Sequence, residues 1–121
     1  MTDYDLIYHH LNKWCVEYDI EVCNIEPCIT DRLKEFNYLG LTTFKYDTFD
    51  IRYCIIEISD VIKNEFLFTS VLWHEFCHCE PWIKDGISDG HGDKWLRRLW
   101  RKPVYAISQW IAKLVYGDIK F

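Results

Sequence analysis

The stretch His74–His78 has the sequence HEFCH, an H-E-x-x-H motif, and it determines how the rest of the chain is interpreted. Leu67 and Val71 precede it at helical spacing, which predicts that the motif lies on an amphipathic helix. Residues four apart lie on one face of a helix, so His74 and His78 can direct two imidazoles at one metal ion. Glu75 stands beside that pair, where a carboxylate can accept a proton from an activated water. The alternative is a helix with two surface histidines, because so short a motif also occurs by chance.

Two histidines do not complete a catalytic zinc site, which usually has three protein ligands and an open position for water. No glutamate follows Glu80, and Lys84 stands six residues after His78, so two common choices for the third ligand are missing. His91 is the only histidine downstream, and the glycines on either side of it permit a close backbone approach. We therefore predict that His91 is the third ligand. The alternative is a loop histidine with no role.

Hydrophobic periodicity on both sides of the motif predicts an α+β fold with an N-terminal helix, a small three-stranded, mostly antiparallel sheet, the H-E-x-x-H helix and C-terminal helices. Pro81 is expected to end the motif helix, and the glycine-rich residues 85–92 are expected to form a loop. The predicted elements are helix Tyr4–Tyr18, strands Ile20–Ile25, Leu41–Tyr46 and Arg52–Ile58, a helix from Asn64 to about Cys79, and helices Asp93–Arg101 and Val104–Tyr116. The face of the last helix expected to pack in the core comprises Val104, Ile107, Ile111, Leu114 and Val115.

The composition indicates one domain spanning residues 1–121, because half the residues are hydrophobic and no stretch is of low complexity. No uncharged run approaches the roughly 18 residues that cross a bilayer, so we expect no membrane segment. The acidic start of the chain lacks the features of a secretory signal, which predicts an intracellular protein.

Six cysteines occur without a C-x-x-C pair, so no zinc ribbon is predicted. Without a secretory signal, the thiols are expected to be reduced and packed as small apolar residues. Cys77 and Cys79 flank His78 and stay an alternative source of metal ligands.

Charge is distributed unevenly along the chain. Residues 1–83 carry 6 Lys or Arg against 15 Asp or Glu, whereas residues 84–121 carry 8 against 4. The basic C-terminal third can face nucleic acid, or it can be a solvated helix face that complements the acidic part. The candidate DNA-binding residues are Lys94, Arg97, Arg98, Arg101 and Lys102, with Trp100 placed to stack on a base.

The motif and the sequence after it resemble the SprT-like zinc metalloproteases, in which a third zinc histidine lies in a His-Gly pair followed three residues later by an aromatic. The resemblance is specific from Leu72 to Trp95, looser over the rest of residues 1–102, and greatest for the Spartan and germ cell nuclear antigen branch. The segments that carry it are His74–His78, Trp82-Ile83-x-Asp85-Gly86 and Asp89-Gly90-His91-Gly92-x-x-Trp95, with weaker matches at Leu39-Gly40 and Ile56-x-Ile58-Ser59.

This resemblance implies a zinc-dependent endopeptidase with a SprT-like zincin core, one zinc ion on His74, His78 and His91, and Glu75 as general base. That branch cleaves proteins trapped covalently on DNA, which implies a DNA-crosslinked protein substrate. The basic segment in turn predicts weak, sequence-independent, salt-sensitive binding that favours single-stranded or distorted DNA. Many relatives carry a zinc ribbon or a further DNA-binding region; neither is predicted from this sequence, whose pI is about 5.4. Two alternatives are a non-catalytic, zinc-braced DNA- or protein-binding module and a metallopeptidase without DNA dependence. The acidic residues Asp85, Asp89 and Asp93 are candidates for orienting the zinc histidines, and nothing in the sequence predicts an oligomeric state.

Overall fold

Four α-helices and a three-stranded mixed sheet form the part of the chain that the computed structural model describes, residues 3–88 and 90–117. The α+β fold expected from the sequence is confirmed. The elements are α1 (Asp3–Glu17), β1 (Ile25–Thr30), β2 (Gly40–Tyr46), β3 (Arg52–Ser59), α2 (Glu65–Asp85), α3 (Asp93–Leu99) and α4 (Pro103–Tyr116), with 3₁₀ turns at Val22–Asn24 and Leu33–Phe36.

The strand β3 lies at the centre of the sheet, in the order β1-β3-β2. The β2–β3 pair is antiparallel, as predicted, but β1 runs parallel to β3. The prediction of a first strand at Ile20–Ile25 is wrong, because Val22–Asn24 within that segment form a 3₁₀ turn and β1 begins only at Ile25. Pro27 lies inside β1, which an outer strand tolerates because it needs hydrogen bonds on one side only.

The core lies between the sheet and the helices α1 and α2. Alternate β3 residues Cys54, Ile56 and Ile58 are fully buried, as a strand packed on one face requires. Trp14 of α1 and Trp73 of α2 meet edge to face in this core, with ring centroids 5.0 Å apart. All six cysteines are unbridged, and four of them are packed in the core as expected, whereas Cys28 is half-buried and Cys23 is exposed.

The helix α2 extends past Pro81 to Asp85, contrary to the prediction that Pro81 ends it. Pro81 removes one backbone donor, but contacts with the sheet hold the last turn in place. The Trp82 indole donates to backbone carbonyls of β2 and β3 at 3.3 and 3.1 Å, and the Arg52 guanidinium donates to two carbonyls of the final turn. Gly86, with φ 69°, ends the helix in the left-handed conformation that glycine adopts most readily.

The helix α4 packs through its small residues, contrary to the prediction that its large apolar face lies in the core. Ala106 and Ala112 are buried, since short side chains allow a close approach to the neighbouring helix. The predicted face is instead 45–86% exposed, and it comprises Val104, Ile107, Ile111, Leu114 and Val115. In residues 3–88 and 90–117, no helix combines the length and hydrophobicity needed to cross a bilayer.

Candidate metal centre

Three histidines, two from α2 and one from the loop before α3, lie close together. His74 and His78 project from the same face of α2, and His91 lies on the loop that precedes α3. One ligand nitrogen from each imidazole lies within 4.8 Å of the others. The sequence-predicted ligand set is therefore assembled by the fold, with His74 buried and His91 exposed to solvent.

The geometry of this cluster fits a zinc ion. Two nitrogens bound to tetrahedral zinc at about 2.0–2.1 Å lie roughly 3.3 Å apart, and the Nε2 atoms of His74 and His91 are 3.2 Å apart. Three imidazoles leave a fourth position, which is the ligand pattern of catalytic zinc. Cys77 and Cys79, the alternative ligands, are fully buried and lie outside this cluster. Burial raises the pKa of both thiols well above its usual value, which disfavours the thiolate that a metal needs.

Trp95 of α3 packs against all three histidine rings. Its ring centroid lies 4.8 Å from that of His74, 5.5 Å from that of His78 and 4.5 Å from that of His91. Its indole N–H donates to the His74 carbonyl at 3.3 Å. This buried side chain therefore forms one wall of the histidine cluster.

Glu75 lies beside the cluster, with its side chain almost fully buried. Thr42 of β2 donates to Oε1 at 3.0 Å. The other oxygen, Oε2, is 4.0 Å from Nε2 of His74 and has no hydrogen-bond partner among the described residues. Burial raises the pKa of this carboxyl to about 8 in the metal-free site, and the hydrogen bond from Thr42 opposes that rise. One oxygen is therefore held by the protein, while the other faces the histidines.

A cleft of about 250 Å³ opens onto the cluster. In the described part of the chain β2 is an outer strand, with β3 on one side only, and this strand forms one wall of the cleft. The lining residues include Gly40, Thr42 and Phe44 of β2 together with Glu75, His78 and His91. A segment of another chain can therefore reach the histidines along the unpaired side of a strand.

Glu80, for which the sequence predicts no role, joins α2 to the segment that follows the third histidine through hydrogen bonds. Its carboxylate is 2% exposed and accepts hydrogen bonds from Arg98 at 2.8 Å, Arg101 at 2.7 Å and Lys84 at 3.1 Å. A buried carboxylate with three cationic partners fixes the position of α3, and His91 lies two residues before α3. The sequence did not predict this role, because Glu80 was expected to lie at the end of the helix and not within it.

The basic segment proposed for DNA divides into two groups in the structure. Arg98 and Arg101 are bound by Glu80, and Lys102 pairs with Glu17 at 3.2 Å. Lys94 and Arg97 are exposed on α3, and Trp100 is 51% exposed. DNA binding by this segment stays a prediction. Arg98, Arg101 and Lys102 also form ion pairs within the protein.

The sequence offers three acidic residues that could orient the zinc histidines, and the structure describes two of them. Asp85 and Asp93 have exposed side chains, and Asp89 lies outside the described residues.

Comparisons with protein-family models, with curated proteins and with solved structures gave no match to this chain. The case for a function therefore rests on the residues and geometry of the site itself.

Proposed function

We propose that this protein is a zinc-dependent endopeptidase that uses His74, His78 and His91 as ligands and Glu75 as general base. The observation that carries the proposal is the position of Glu75. One buried carboxylate oxygen, which has no hydrogen-bond partner among the described residues, lies 4.0 Å from Nε2 of His74. His74 is one of three histidines whose ligand nitrogens lie within 4.8 Å of one another. A buried polar atom is costly to leave unsatisfied, so an unpaired oxygen at this point is typical of a functional site.

The bound zinc ion would supply Lewis acidity and lower the pKa of water towards about 7. Glu75 would accept a proton as the water oxygen forms a bond to the peptide carbonyl carbon. The same carboxyl would then give that proton to the departing nitrogen as the C–N bond breaks. One water is consumed, and the products are a new carboxylate and a new protonated amine, which takes the second proton of the water.

The cleft favours an extended protein segment as substrate. An incoming chain can add to the unpaired side of β2 through backbone hydrogen bonds, which do not depend on the side chains of the substrate. Adding a strand places the substrate backbone next to Glu75 and His78, which line the same cleft. We therefore propose protein rather than a small amide as the substrate class.

Cleavage of DNA-bound or DNA-crosslinked proteins is the finer proposal. Its support is the cluster of cations on α3, which begins two residues after His91, and the exposed Trp100. DNA bound there would hold an attached protein near the histidines. An intracellular location would suit both the free thiols and this substrate.

Two alternatives have specific observations in their favour. The ion pairs of Arg98, Arg101 and Lys102 within the protein favour a peptidase without DNA dependence. A non-catalytic module braced by zinc is favoured by the role of α3, since Trp95 and Glu80 join that helix to the ligands and to α2. The carboxylate of Glu75 argues against this second alternative, because a brace has no need of a base beside the ion.

A cleavage assay separates these possibilities. Purified protein is loaded with one equivalent of zinc, and hydrolysis of fluorescently labelled casein is followed with and without a single-stranded oligothymidine, and after chelation. Cleavage that requires zinc supports the endopeptidase, and stimulation by the oligonucleotide supports the DNA-linked substrate. Zinc-dependent cleavage without stimulation favours the DNA-independent peptidase. Zinc uptake without cleavage under any condition contradicts the proposal and favours the brace.

A further inference from the structure

We propose that Thr42 is a positioning residue for the general base, an inference that rests on the function proposed above. Its hydroxyl fixes one oxygen of the Glu75 carboxylate, so that the other oxygen is directed at the histidines. Thr42 lies on β2, far from the H-E-x-x-H motif in sequence, and its threonine is not part of any motif identified in the sequence.

The nearer hydrogen-bond acceptor of the Thr42 hydroxyl is the Glu75 carboxylate. Oγ1 lies 3.0 Å from Glu75 Oε1 and 3.3 Å from the Glu75 backbone carbonyl. A hydroxyl has one hydrogen to donate, and the carboxylate oxygen is the nearer acceptor. The hydroxyl is therefore directed at the side chain of Glu75, and it does more than join strand to helix.

Thr42 itself is held rigidly. It lies within the antiparallel ladder, opposite Ile56 of β3, and a β-branched side chain has few rotamers available. Gly40, two residues earlier on the same face of β2, leaves room for the other side of the carboxyl. A Cβ atom at that position would lie 2.7 Å from Val71 Cγ1 and 3.0 Å from Glu75 Oε2. The strand thus restrains both oxygens of Glu75, one by a hydrogen bond and one by shape.

A base restrained in this way is ready for proton transfer before substrate binds. Oε1 is occupied by Thr42, so Oε2 is the oxygen available to accept the proton, and it is the oxygen nearer His74. Catalytic groups displaced by about 1 Å can lose a hundredfold in rate. The hydroxyl of Thr42 should therefore affect the chemical step and leave binding of zinc and substrate unchanged.

Three variants test this role. Thr42→Val keeps the shape and β-branching but removes the donor, Thr42→Ser keeps the donor, and Thr43→Val is a matched control on the opposite face of the same strand. Zinc-loaded proteins are compared in casein cleavage, zinc content is measured, and crystal structures of the wild type, Thr42→Val and Thr42→Ser are determined. We expect Thr42→Val to lower kcat by roughly ten- to a hundredfold with little change in KM. Thr42→Ser should restore most of the rate, and Thr43→Val should match the wild type.

The crystal structures supply a readout that does not depend on activity. The Glu75 carboxylate should keep its wild-type position in Thr42→Ser and leave it in Thr42→Val, with the three histidines unmoved. If the wild type cleaves casein but Thr42→Val keeps the wild-type kcat, this inference is overturned and the proposed function stands. The same holds if the Glu75 carboxylate of Thr42→Val stays in its wild-type position. A wild-type protein that binds zinc and cleaves nothing would overturn the proposed function, and this inference with it.

Discussion

The Nε2 atoms of His74 and His91 lie 3.2 Å apart although 17 positions separate the two residues in sequence. The chain returns to α2 because the helix ends in a left-handed turn at Gly86 and α3 packs back against it through Trp95. The third histidine of the cluster is therefore placed by the packing of α3 and not by helical spacing. This arrangement predicts which substitutions weaken the metal site and which do not.

Replacement of His91 by alanine should lower zinc affinity by at least about a hundredfold, since outer-shell changes alone cost 10–100-fold. The physical reason is the loss of one of three imidazole ligands that meet at one point. Competition titration with a fluorescent zinc chelator measures the change. His9→Ala, which removes an exposed histidine from α1, is the control and should bind zinc as the wild type does. Equal affinity for His91→Ala and wild type would remove His91 from the site.

Substitution of Trp95 should weaken zinc binding although its side chain touches no metal. Trp95→Leu removes the ring that contacts all three histidines and should cost roughly 10–100-fold in affinity. Trp95→Phe keeps an aromatic ring but loses the hydrogen bond to the His74 carbonyl, so its effect should be intermediate. The same titration measures both, with the exposed Trp100→Leu as control. If Trp95→Leu binds zinc with wild-type affinity, the Trp95 ring is not needed to hold the three histidines in position.

Neutralising Glu80 should destabilise the fold. Glu80→Gln replaces a buried carboxylate that binds Lys84, Arg98 and Arg101, and hydrogen bonds to charged groups contribute about 1.5–3 kcal/mol. Urea unfolding of the metal-free protein, followed by tryptophan fluorescence, measures the loss. Glu17→Gln affects the more exposed contacts of Glu17 with Lys102 and Tyr18, and it should change the free energy of unfolding by under about 1 kcal/mol. Similar losses in the two variants would mean that the Glu80 cluster has no special role.

The sequence predicted the parts of the site that depend on local spacing. The pair His74 and His78 follows from helical periodicity, and the strand bounds of β2 and β3 follow from turns and β-branched residues. His91 was predicted because no other histidine lies downstream, and the structure brings it to the other two.

What the sequence could not predict depends on contacts between distant residues. The extension of α2 past Pro81 depends on Arg52 and Trp82 contacts with other elements. The contact between Thr42 and Glu75 depends on the packing of β2 beside α2, which no local sequence pattern predicts. The orientation of α4 was predicted wrongly because amphipathicity identifies an apolar face but not whether small residues pack more closely against the neighbouring helix.

The basic segment should bind single-stranded DNA weakly and in a salt-sensitive way. Each cation that contacts a phosphate steepens the slope of the logarithm of the binding constant against the logarithm of the salt concentration by about one unit. Reversing Arg98 would also disturb Glu80, so the sharper variant is Lys94→Glu with Arg97→Glu, two exposed residues of α3. This variant should lose binding in a fluorescence anisotropy titration with labelled oligothymidine and should keep its zinc.

A matched control reverses the same amount of charge elsewhere. Lys13→Glu with Lys63→Glu alters two exposed lysines outside α3, and binding should be largely retained. Equal losses in both double variants would point to net charge alone, and no binding by the wild type at low salt would show that the segment is a solvated face.

Cleavage by Glu75→Gln is the most direct test of the endopeptidase. The glutamine keeps the size of the side chain and an acceptor for Thr42 but cannot accept the proton, so zinc content and the free energy of unfolding should stay close to wild type. The rate of casein cleavage by the zinc-loaded variant, measured against zinc-loaded wild type, should fall by at least about a hundredfold, the lower range for loss of a general base. An unchanged rate in the variant would contradict the assignment of Glu75 and the endopeptidase mechanism built on it.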